Sequence, residues 1–409
     1  MRRKLYLFTN AFPYGKVEKP FVGPELDALA QKYDVTIVSH ASRKEIEERE
    51  WTSRVPLGVS VLRYDQPSRV ALYGRVLSFF FLPTAWKELG DLFRDGFSWG
   101  RLRELWAVFA HAASKRCFYQ KAGVFNDVES SLYYSFWFND QNLALAMEKK
   151  EKPDLKLVSR IHGYDLYNER SAMGRQPFQR YKKHQTNKII FLTKAAKNYF
   201  EENFGPLGQK EKSAIVALGT RAARRLPRRV DSQPLTVVSC SSLIPIKRVE
   251  LIAEAISSLE SLSVRWVHFG DGENRDSLLA YCDAHNVPLS LRGHVDNADI
   301  YAYYQDNYVD AFITTSASEG SPVSIQEALS FGIPVIGTDV GGISEQIDGN
   351  GILLPANPTA AEVANSLELI LGCSPEEKER MRLRSQEIWR GRFDSDKNRE
   401  KLLAILQEV

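Results

Sequence analysis

The stretch "SASEGSPVSIQEALSFGIPVIGTDVGG", residues 316–342, decides the fold. It follows the apolar run "VDAFITT" at 309–315 and contains the β-branched run "IPVIGTD" at 333–339, with a segment of helical period between the two. A strand, a helix and a second strand in this order are typical of a βα unit on a parallel sheet. The stretch therefore predicts an α/β architecture.

The same alternation of strand and helix patterns extends along most of the chain. Short β-branched or aromatic runs such as "KLYLFTN" at 4–10 precede amphipathic segments such as "GPELDALAQKY" at 23–33. Periodicity is lost at "GTRAARRLPRRVDSQPL", residues 219–235, where arginine, proline and small polar residues take over, as in an interdomain linker. Because 409 residues are too many for one compact core, we predict two doubly wound, Rossmann-like α/β domains in tandem.

The predicted domain boundaries follow from this break in the pattern. The predicted organisation is a first domain over 1–218 with a helical insertion at 66–125, a linker over 219–235, a second domain over 236–390, and a C-terminal helical segment over 391–409. Tandem domains of this kind often return their last helix to the first domain. We therefore expect the final segment to pack on the first domain.

Composition and charge restrict the class of protein. The net charge is +3 and the sequence pI is about 8.5, which gives no global field for a nucleic-acid partner. The 4 cysteines show no paired spacing, which suits a reducing compartment and excludes a cysteine-based metal knuckle. The apolar run in "MRRKLYLFTN" is too short for a signal peptide, and "VLSFFFLPTAW" at 76–86 is shorter than the roughly 20 residues that a bilayer requires. We therefore expect a cytoplasmic protein.

The loop before the predicted helix 322–331 has the features of an anion site. Ser321 is a favourable N-cap, and Pro322 suits the first helical position. The amides of Val323 and Ser324 are then left free at a positively polarised helix end, where a phosphate is the natural occupant. Ligands of open parallel sheets bind beyond the carboxyl ends of the strands, which is where this loop lies.

Two acids flank this helix end. Glu319 would repel a phosphate if it faced the same point, so we expect its carboxylate to accept sugar hydroxyls. Glu327 lies about 9 Å along the helix axis, at roughly 1.5 Å per residue, and reaches a second diol, that of a ribose. A lone glutamate is usually a solvated surface acid, but the apolar, glycine-rich segment 331–342 offers no solvated face. The pattern predicts that sugar, diphosphate and ribose are bound in sequence.

At this point a family resemblance becomes specific. The segment "SEGSPVSIQEALSFGIPVIGTDVGGISE", residues 318–345, resembles the E-x7-E signature of the retaining GT-B-fold glycosyltransferases of family 4, also called glycosyl transferases group 1. Further similarity covers "SCSSLIPIKRVELIAEAI" at 239–256, "VHFGDGENRDSL" at 267–278, "LRGHVDNADIYAYY" at 291–304, "FTNAFPYG" at 8–15 and "SRIHGYDLY" at 159–167. The resemblance implies a GT-B fold, in which two Rossmann-like doubly wound domains face a central cleft.

The resemblance implies a role for each matching residue on the donor side. Lys247, at the start of a predicted helix, would hold the donor diphosphate and act in catalysis together with Glu319. Most family members have an arginine where this chain has Ser242, and Arg248 would replace that charge in part. The other implied donor contacts come from several loops: Gly15; Gly270 and Asp271; His294 and Val295; and Gly320, Ser321, Pro322, Val323, Ser324 and Glu327.

The implied acceptor side lies in the first domain. His162 ends a predicted strand at the carboxyl edge of the sheet, where a lone histidine is more often structural. The resemblance implies instead that His162 is a catalytic residue that also contacts the acceptor. Asp165 would orient His162 or touch acceptor hydroxyls, and Tyr14 in the first βα loop would be a further acceptor contact.

The implied activity is transfer of a hexose or N-acetylhexosamine from a UDP-sugar or GDP-sugar to an oligosaccharide or polyprenyl-linked acceptor of bacterial surface polysaccharides, with retention of configuration. Lys247 and the helix end would stabilise the leaving diphosphate, so no metal cofactor is expected. The D-x-D at 394–396 is interpreted as a helix cap rather than a metal site. Two alternatives stay open: a nucleotide-sugar 2-epimerase on the same fold, and a non-catalytic nucleotide-sugar-binding protein.

The insertion at 66–125 is rich in aromatic and basic residues. One interpretation is a helical hairpin packed on its own sheet. The other is an interfacial surface for a lipid-linked acceptor at the inner face of the membrane. The second interpretation places these cations near lipid headgroups: Arg69, Arg75, Arg101, Arg103, Lys115 and Arg116.

Overall fold

The computed structural model describes residues 2–15, 18–48, 52–68, 72, 74, 79, 83–94, 96–229, 234–259 and 263–409. The chain forms two compact units. The first unit consists of Met1–Leu192, Ala196–Val216 and Arg399–Val409, and the second of Thr193–Ala195 and Ala217–Asn398. The described part of the predicted linker, 219–229, lies in the second unit.

A parallel sheet forms the centre of the first unit. Its strands are β1 (Lys4–Thr9), β2 (Asp34–Ser39), β3 (Ser60–Arg63), β4 (Ser131–Ser135), β5 (Lys156–Ile161), β6 (Lys188–Phe191) and β7 (Ser213–Ile215). Their order is β3-β2-β1-β4-β5-β6-β7, with parallel pairing between all neighbours. Side chains of β1 and β4 are buried almost throughout, as expected for a sheet covered on both faces. The order reverses between β1 and β4, which is where ligands of doubly wound sheets bind.

Helices connect the strands of the first unit and cover its sheet. They are α1 (Lys19–Lys32), α2 (Arg43–Glu47), α3 (Pro83–Arg94), α4 (Trp99–Lys121), α5 (Asp140–Glu151), α6 (Gly163–Leu166), α7 (Gln179–Gln185) and α8 (Lys194–Phe204). Short 3-10 turns occur at Asn168–Arg170 and Lys210–Lys212.

The second unit repeats the architecture with a smaller sheet. Its strands are β8 (Leu235–Cys240), β9 (Val264–Phe269), β10 (Leu289–Leu291), β11 (Ala311–Thr314), β12 (Val335–Thr338) and β13 (Gly351–Leu354). Its helices are α9 (Glu250–Ser257), α10 (Arg275–Ala284), α11 (Asn297–Asp306), α12 (Val323–Ser330), α13 (Ala360–Leu371) and α14 (Pro375–Ile388), followed by a π-turn (Trp389–Phe393). The last helix, α15 (Ser395–Glu408), begins in this unit and belongs to the first unit from Arg399 onward. The strand order is β10-β9-β8-β11-β12-β13, so the order reverses between β8 and β11. The prediction of doubly wound parallel α/β units is confirmed.

One predicted helix start in the second unit is wrong. Lys247 ends a 3-10 turn, Pro245–Lys247, and the next residue, Arg248, has a left-handed backbone with φ 49°. The helix α9 begins only at Glu250. A left-handed residue cannot continue a right-handed helix, so Lys247 stands in the loop after β8 rather than in the first turn of a helix.

The insertion at 66–125 packs one face against the sheet of its own unit. Its residues 69–71, 73, 75–78, 80–82 and 95, among them the predicted headgroup contacts Arg69 and Arg75, lie outside the described part of the chain. Leu92 of α3 and Phe109 of α4 join Tyr133 of β4 in one buried apolar cluster. The interpretation as a hairpin packed on its own sheet is confirmed for this face.

Two of the predicted headgroup contacts are ion pairs inside the first unit. Lys115 Nζ lies 2.6 Å from Asp140 Oδ1, and Arg116 Nε lies 2.8 Å from Glu148 Oε2. Both cations face α5, so their predicted place at lipid headgroups is wrong. The outer face carries aromatic side chains that are between 39% and 76% exposed, namely Trp86, Phe93, Phe97 and Trp99. Within the described residues, no helix combines the length and the apolar character needed to cross a bilayer.

Candidate functional site

The loops after β8 and β11 bring two predicted site residues together. Glu319, in the loop after β11, accepts hydrogen bonds from Lys247 Nζ and from Ser316 Oγ, the latter at 2.7 Å. The two loops are neighbours because β8 and β11 are adjacent where the strand order reverses. The side chains of Lys247 and Glu319 remain 19% and 13% exposed, so a ligand can reach both.

The first turn of α12 lies beside this pair. Pro322 has φ −60° and ψ 120°, which is an extended conformation, so the helix begins at Val323 and the prediction that Ser321 is the N-cap is wrong. Ser321 Oγ instead accepts a hydrogen bond from Gln326 Nε2 at 3.0 Å. Among the described residues, no side chain caps the first turn, which leaves the amides of Val323 and Ser324 at an uncapped helix end.

Glu327 lies one turn further along α12 and is 5% exposed. Burial raises the pKa of Glu327 to about 7, opposed by the hydrogen bond from Asn297 Nδ2 and by the charge of Arg221. Asn297 begins α11 directly after the predicted nucleoside loop, and its contact with Glu327 was not predicted from the sequence. Near neutral pH this carboxyl group therefore exists in both protonation states.

The guanidinium of Arg248 connects the loop after β8 with the loops after β11 and β13. It donates to the carbonyl oxygens of Thr315 at 2.7 Å, Ser316 at 3.0 Å and Ala356 at 2.8 Å, and to Asn357 Oδ1 at 3.0 Å. Burial lowers the pKa of Arg248. The left-handed backbone at this position turns the side chain away from that of Lys247, so Arg248 acts as a brace for these loops.

Ser242 is exposed in the loop after β8. Its carbonyl oxygen accepts a hydrogen bond from the Ile244 amide at 3.1 Å, which closes a tight turn. Because Arg248 is bound to carbonyl oxygens, the charge that most family members supply at this position is not replaced from Arg248. Lys247, whose Nζ binds Glu319, keeps its predicted diphosphate contact as a prediction.

Glycines allow the backbones of the site loops to touch. A Cβ atom on Gly270, whose φ is 139°, would lie 1.8 Å from the carbonyl oxygen of Ser241. The amide of Gly342 donates to the carbonyl oxygen of Gly320 at 2.8 Å, and a Cβ atom there would lie 2.5 Å from the same oxygen. The glycine-rich motifs thus set the loop packing around the site.

The remaining predicted donor contacts, Asp271, His294 and Val295, lie in loops of the second unit. Asp271 is exposed, and its carboxylate accepts from the Gly272 amide at 2.9 Å and from Arg275 at 3.2 Å, which is the pattern of a local turn. His294 is exposed, and Val295 is partly buried against the apolar cluster around α11 and α12. These positions leave the predicted nucleoside contacts of His294 and Val295 as predictions.

His162 follows β5 in the first unit and is nearly buried. Its ring centre lies 4.4 Å from that of Trp137 and 4.9 Å from that of Phe136, and its Nε2 lies 2.9 Å from the Phe136 carbonyl oxygen. Burial, together with the charge of Arg160, lowers the pKa of His162 to about 3. The ring is therefore neutral at pH 7, with the proton on Nε2, since a carbonyl oxygen only accepts, and with Nδ1 as an acceptor.

Asp165 binds the backbone of two segments, at His162 and at Phe138. Its carboxylate oxygens accept from the amides of His162 and Phe138, the former at 2.6 Å, and burial raises the pKa of Asp165 to about 7. Asp165 thus holds the main chain of His162, and its predicted contact with acceptor hydroxyls stays a prediction. Tyr14 and Gly15 lie in the loop after β1, where the Tyr14 amide donates to the Ala11 carbonyl oxygen at 2.8 Å.

The described residues contain no cluster of three or more His, Cys, Asp or Glu side chains that could hold a metal ion. Asp394, the first acid of the D-x-D, accepts from the amides of Asp396 at 3.0 Å and Lys397 at 3.4 Å. These contacts are those of an N-cap on α15, as predicted.

Comparison with known proteins finds a family model that matches part of the second unit. Residues 223–387 match the family model described as Glycosyl transferases group 1. The O-antigen biosynthesis glycosyltransferase WbnH of Escherichia coli is 31% identical over 207 residues, which cover 49% of this chain and 56% of WbnH. The GtfA subunit of the UDP-N-acetylglucosamine–peptide N-acetylglucosaminyltransferase of Streptococcus gordonii is 28% identical over 182 residues, 42% of this chain and 35% of GtfA. The chain spans about half the length, or less, of these curated relatives.

Solved structures resemble the chain over its full length. The apo form of the lipopolysaccharide outer core galactosyltransferase WaaB has a TM-score of 0.68 at 13% sequence identity and covers 99% of either chain. HepE from Anabaena, in complex with UDP and glucose, has a TM-score of 0.66 at 16% identity and covers 100% of either chain. This likeness shows that the chain has the GT-B fold predicted from its sequence.

Proposed function

We propose that the chain is a glycosyltransferase that moves a hexose or N-acetylhexosamine from a UDP-sugar, with a GDP-sugar as second candidate, to an oligosaccharide or lipid-linked acceptor in surface polysaccharide synthesis. The observation that carries the proposal is the meeting of Lys247 and Glu319 beside the uncapped first turn of α12. Support also comes from the family match over 223–387 and from relatives named for O-antigen synthesis and UDP-N-acetylglucosamine transfer. The UDP in the HepE complex favours UDP-sugars.

In the proposed reaction, the bond that breaks joins the anomeric carbon of the sugar to an oxygen of the diphosphate. Negative charge grows on the leaving diphosphate and positive charge on the sugar ring, so stabilising the leaving group is the main task. Lys247 Nζ and the amides of Val323 and Ser324 supply this stabilisation, and each preorganised donor is typically worth about 3 kcal/mol. The proposal therefore assigns no metal ion to the reaction.

Retention of configuration is the finer part of the proposal. The acceptor hydroxyl attacks the anomeric carbon from the face on which the diphosphate leaves, and its proton passes to the leaving phosphate oxygen. The proposal gives Glu319 the role of binding sugar hydroxyls and not that of a nucleophile, with its Oε1 held by Lys247 and Ser316. The proposal keeps His162 as an acceptor contact with a neutral ring, because burial lowers its pKa to about 3.

Nucleotide sugars should stabilise the chain and be slowly hydrolysed by it. A ligand at about 100 times its dissociation constant adds about 2.7 kcal/mol to the free energy of unfolding, which a thermal-shift panel of UDP, GDP, ADP and their sugars detects. A transferase then releases UDP or GDP with water as acceptor, whereas a 2-epimerase changes the sugar and a sensor leaves it intact. Binding of no nucleotide in this panel would contradict the proposal.

Three exposed aromatic side chains at the junction of α3 and α4 form a continuous surface. The rings of Phe93 and Phe97 stack with their centres 4.9 Å apart, and the ring of Trp99 meets Phe97 edge-on at 5.3 Å. Arg94, the residue after Phe93, has a side chain that is 73% exposed and lies 3.1 Å from Asp91 Oδ1. Aromatic rings next to cations suit the headgroup region of a membrane. We propose that this surface holds the chain at an anionic bilayer that carries a lipid-linked acceptor.

Vesicle flotation tests this membrane contact. We expect the chain to float with anionic vesicles and the variant Phe97→Ser/Trp99→Ser to lose most of this binding, because an interfacial anchor depends on buried apolar area. Leu57→Ser is the matched control, since Leu57 is a fully exposed apolar side chain of the same unit, apart from these rings in the sequence. Equal flotation of both variants and the wild type would place the membrane contact elsewhere.

A further inference from the structure

Glu18, just before α1, is an acid with no role in the proposed reaction. It is 2% exposed, and its carboxylate accepts hydrogen bonds from successive backbone amides of the loop after β1, from Asn10 at 2.9 Å, Ala11 at 2.6 Å and Phe12 at 2.6 Å. An ionised carboxylate only accepts hydrogen bonds and has room for about four donors. The loop after β1 thus surrounds the carboxylate of Glu18, which accepts hydrogen bonds from amides that are not paired with a neighbouring strand.

The fourth donor to Glu18 comes from another loop. Trp137, which follows β4, donates through Nε1 to Glu18 Oε1. The strands β1 and β4 are adjacent at the point where the sheet order reverses, so Glu18 joins the two loops that border this point. The same indole ring packs against His162, with the ring centres 4.4 Å apart.

We propose that Glu18 is a positioning residue for His162 and acts through Trp137. The hydrogen bond from Trp137 Nε1 to Glu18 fixes the orientation of the indole ring, and the indole packs against one side of the His162 imidazole. The other fixed point of the imidazole is the Phe136 carbonyl oxygen, 2.9 Å from Nε2. Together they set the orientation of the imidazole ring of His162, whose contact with the acceptor is part of the proposed function. The consequence for turnover rests on the proposed function; the positioning itself does not.

The variant Glu18→Gln tests this role with little change of shape. Whichever way the new amide group turns, its NH2 faces two N–H donors, either Asn10 with Trp137 or Ala11 with Phe12. We expect hydrogen exchange of the amides of residues 10–12 to rise about tenfold. We also expect acylation of His162 by diethyl pyrocarbonate, measured by mass spectrometry, to become faster by a similar factor. The reason is that the indole of Trp137 no longer packs in a fixed position against the imidazole ring.

Turnover of a nucleotide sugar supplies the functional readout. Misplacement of a substrate contact by about 1 Å costs up to about 100-fold in rate, so we expect kcat of Glu18→Gln to fall by about 10- to 100-fold. The dissociation constant for UDP should stay within about twofold, since the proposed contacts to the diphosphate and the ribose lie in the second unit. Asp127→Asn is the control, because Asp127 is a turn-capping carboxylate before the opposite, amino end of β4.

A second variant removes the indole N–H from the other side of the same bond. If Glu18 acts through Trp137, Trp137→Phe also accelerates acylation of His162, and the double variant loses no more activity than the worse single variant. The proposal would be overturned if the losses of activity in the two single variants were additive in the double variant. It would also be overturned if Glu18→Gln showed faster amide exchange at residues 10–12 but unchanged acylation of His162. If Glu18→Gln does not fold, unchanged acylation in Trp137→Phe overturns it as well. If the wild-type chain turned over no nucleotide sugar, the proposed function would be wrong. Hydrogen exchange of residues 10–12 and acylation of His162 would still decide the role of Glu18.

Discussion

Lys247→Met should lower the turnover of a nucleotide sugar by about 100- to 1,000-fold, the usual cost of removing one preorganised donor to a leaving group. The substitution keeps the length and the apolar stem of the side chain and removes only its charge. Lys247 is the cation that the loop after β8 places against Glu319, and Arg248 is held by carbonyl oxygens and cannot replace it. Initial-rate kinetics of UDP or GDP release, with and without acceptor, measure the loss.

Two comparisons separate a catalytic loss from a structural one. Lys378 lies on α14 of the same unit and donates to the Leu371 carbonyl oxygen at 2.7 Å, so Lys378→Met removes a lysine of similar burial away from the site. This control should retain turnover, and both variants should keep the circular dichroism spectrum of the wild type. Lys247→Met with turnover within about threefold of the wild type would show that the diphosphate charge is stabilised elsewhere.

Local patterns explain why much of the fold and part of the site were predicted from the sequence. The strand, turn and helix around Glu319 and Glu327 depend on the apolar runs and on the proline and glycines of 316–342, all within a few residues of one another. The helix start was placed one residue too early, because the extended ψ of Pro322 cannot be read from its side chain. The assignment of Lys247 and Glu319 to one site followed from the family resemblance and not from spacing, and the hydrogen bond between them was not predicted.

Contacts between distant parts of the chain were not accessible to the same reasoning. Arg248 looked like a spare cation, but its partners lie between 67 and 109 positions away in sequence. Asn297 binds Glu327 across 30 positions, and Glu18 meets Trp137 across 119. A charged or amide side chain has no periodicity of its own, so the strand order decides its partner. The signal that was available for Glu18 was weak, an acid just before a predicted helix.

The affinity for a nucleotide sugar should depend on the protonation state of Glu327. Burial raises the pKa of this carboxyl to about 7 from the ordinary 4.5. It is then about nine-tenths protonated at pH 6 and about nine-tenths ionised at pH 8. A ribose diol offers two donors, and only the ionised carboxylate accepts at both oxygens. Isothermal titration calorimetry should therefore show an affinity about tenfold higher at pH 8 than at pH 6 for the wild type, and a nearly flat profile for Glu327→Gln.

The same titration sets the stability of the unliganded chain, with the opposite sign. Below pH 4.5 the carboxyl of Glu327 is protonated in the folded and unfolded states; between pH 4.5 and about 7 the unfolded chain ionises while the folded chain keeps its proton. The free energy of unfolding therefore falls by about 3 kcal/mol as pH rises through this range, at about 1.4 kcal/mol per unit. Glu327→Gln keeps an oxygen for Asn297 Nδ2 and should lack this fall in urea unfolding at pH 5 and pH 8, whereas Glu362→Gln, which alters an exposed capping carboxylate of the same unit, should retain it. Identical pH profiles for Glu327→Gln and the wild type would mean that Glu327 does not titrate near neutrality, and the pH-dependent affinity would lose its cause as well.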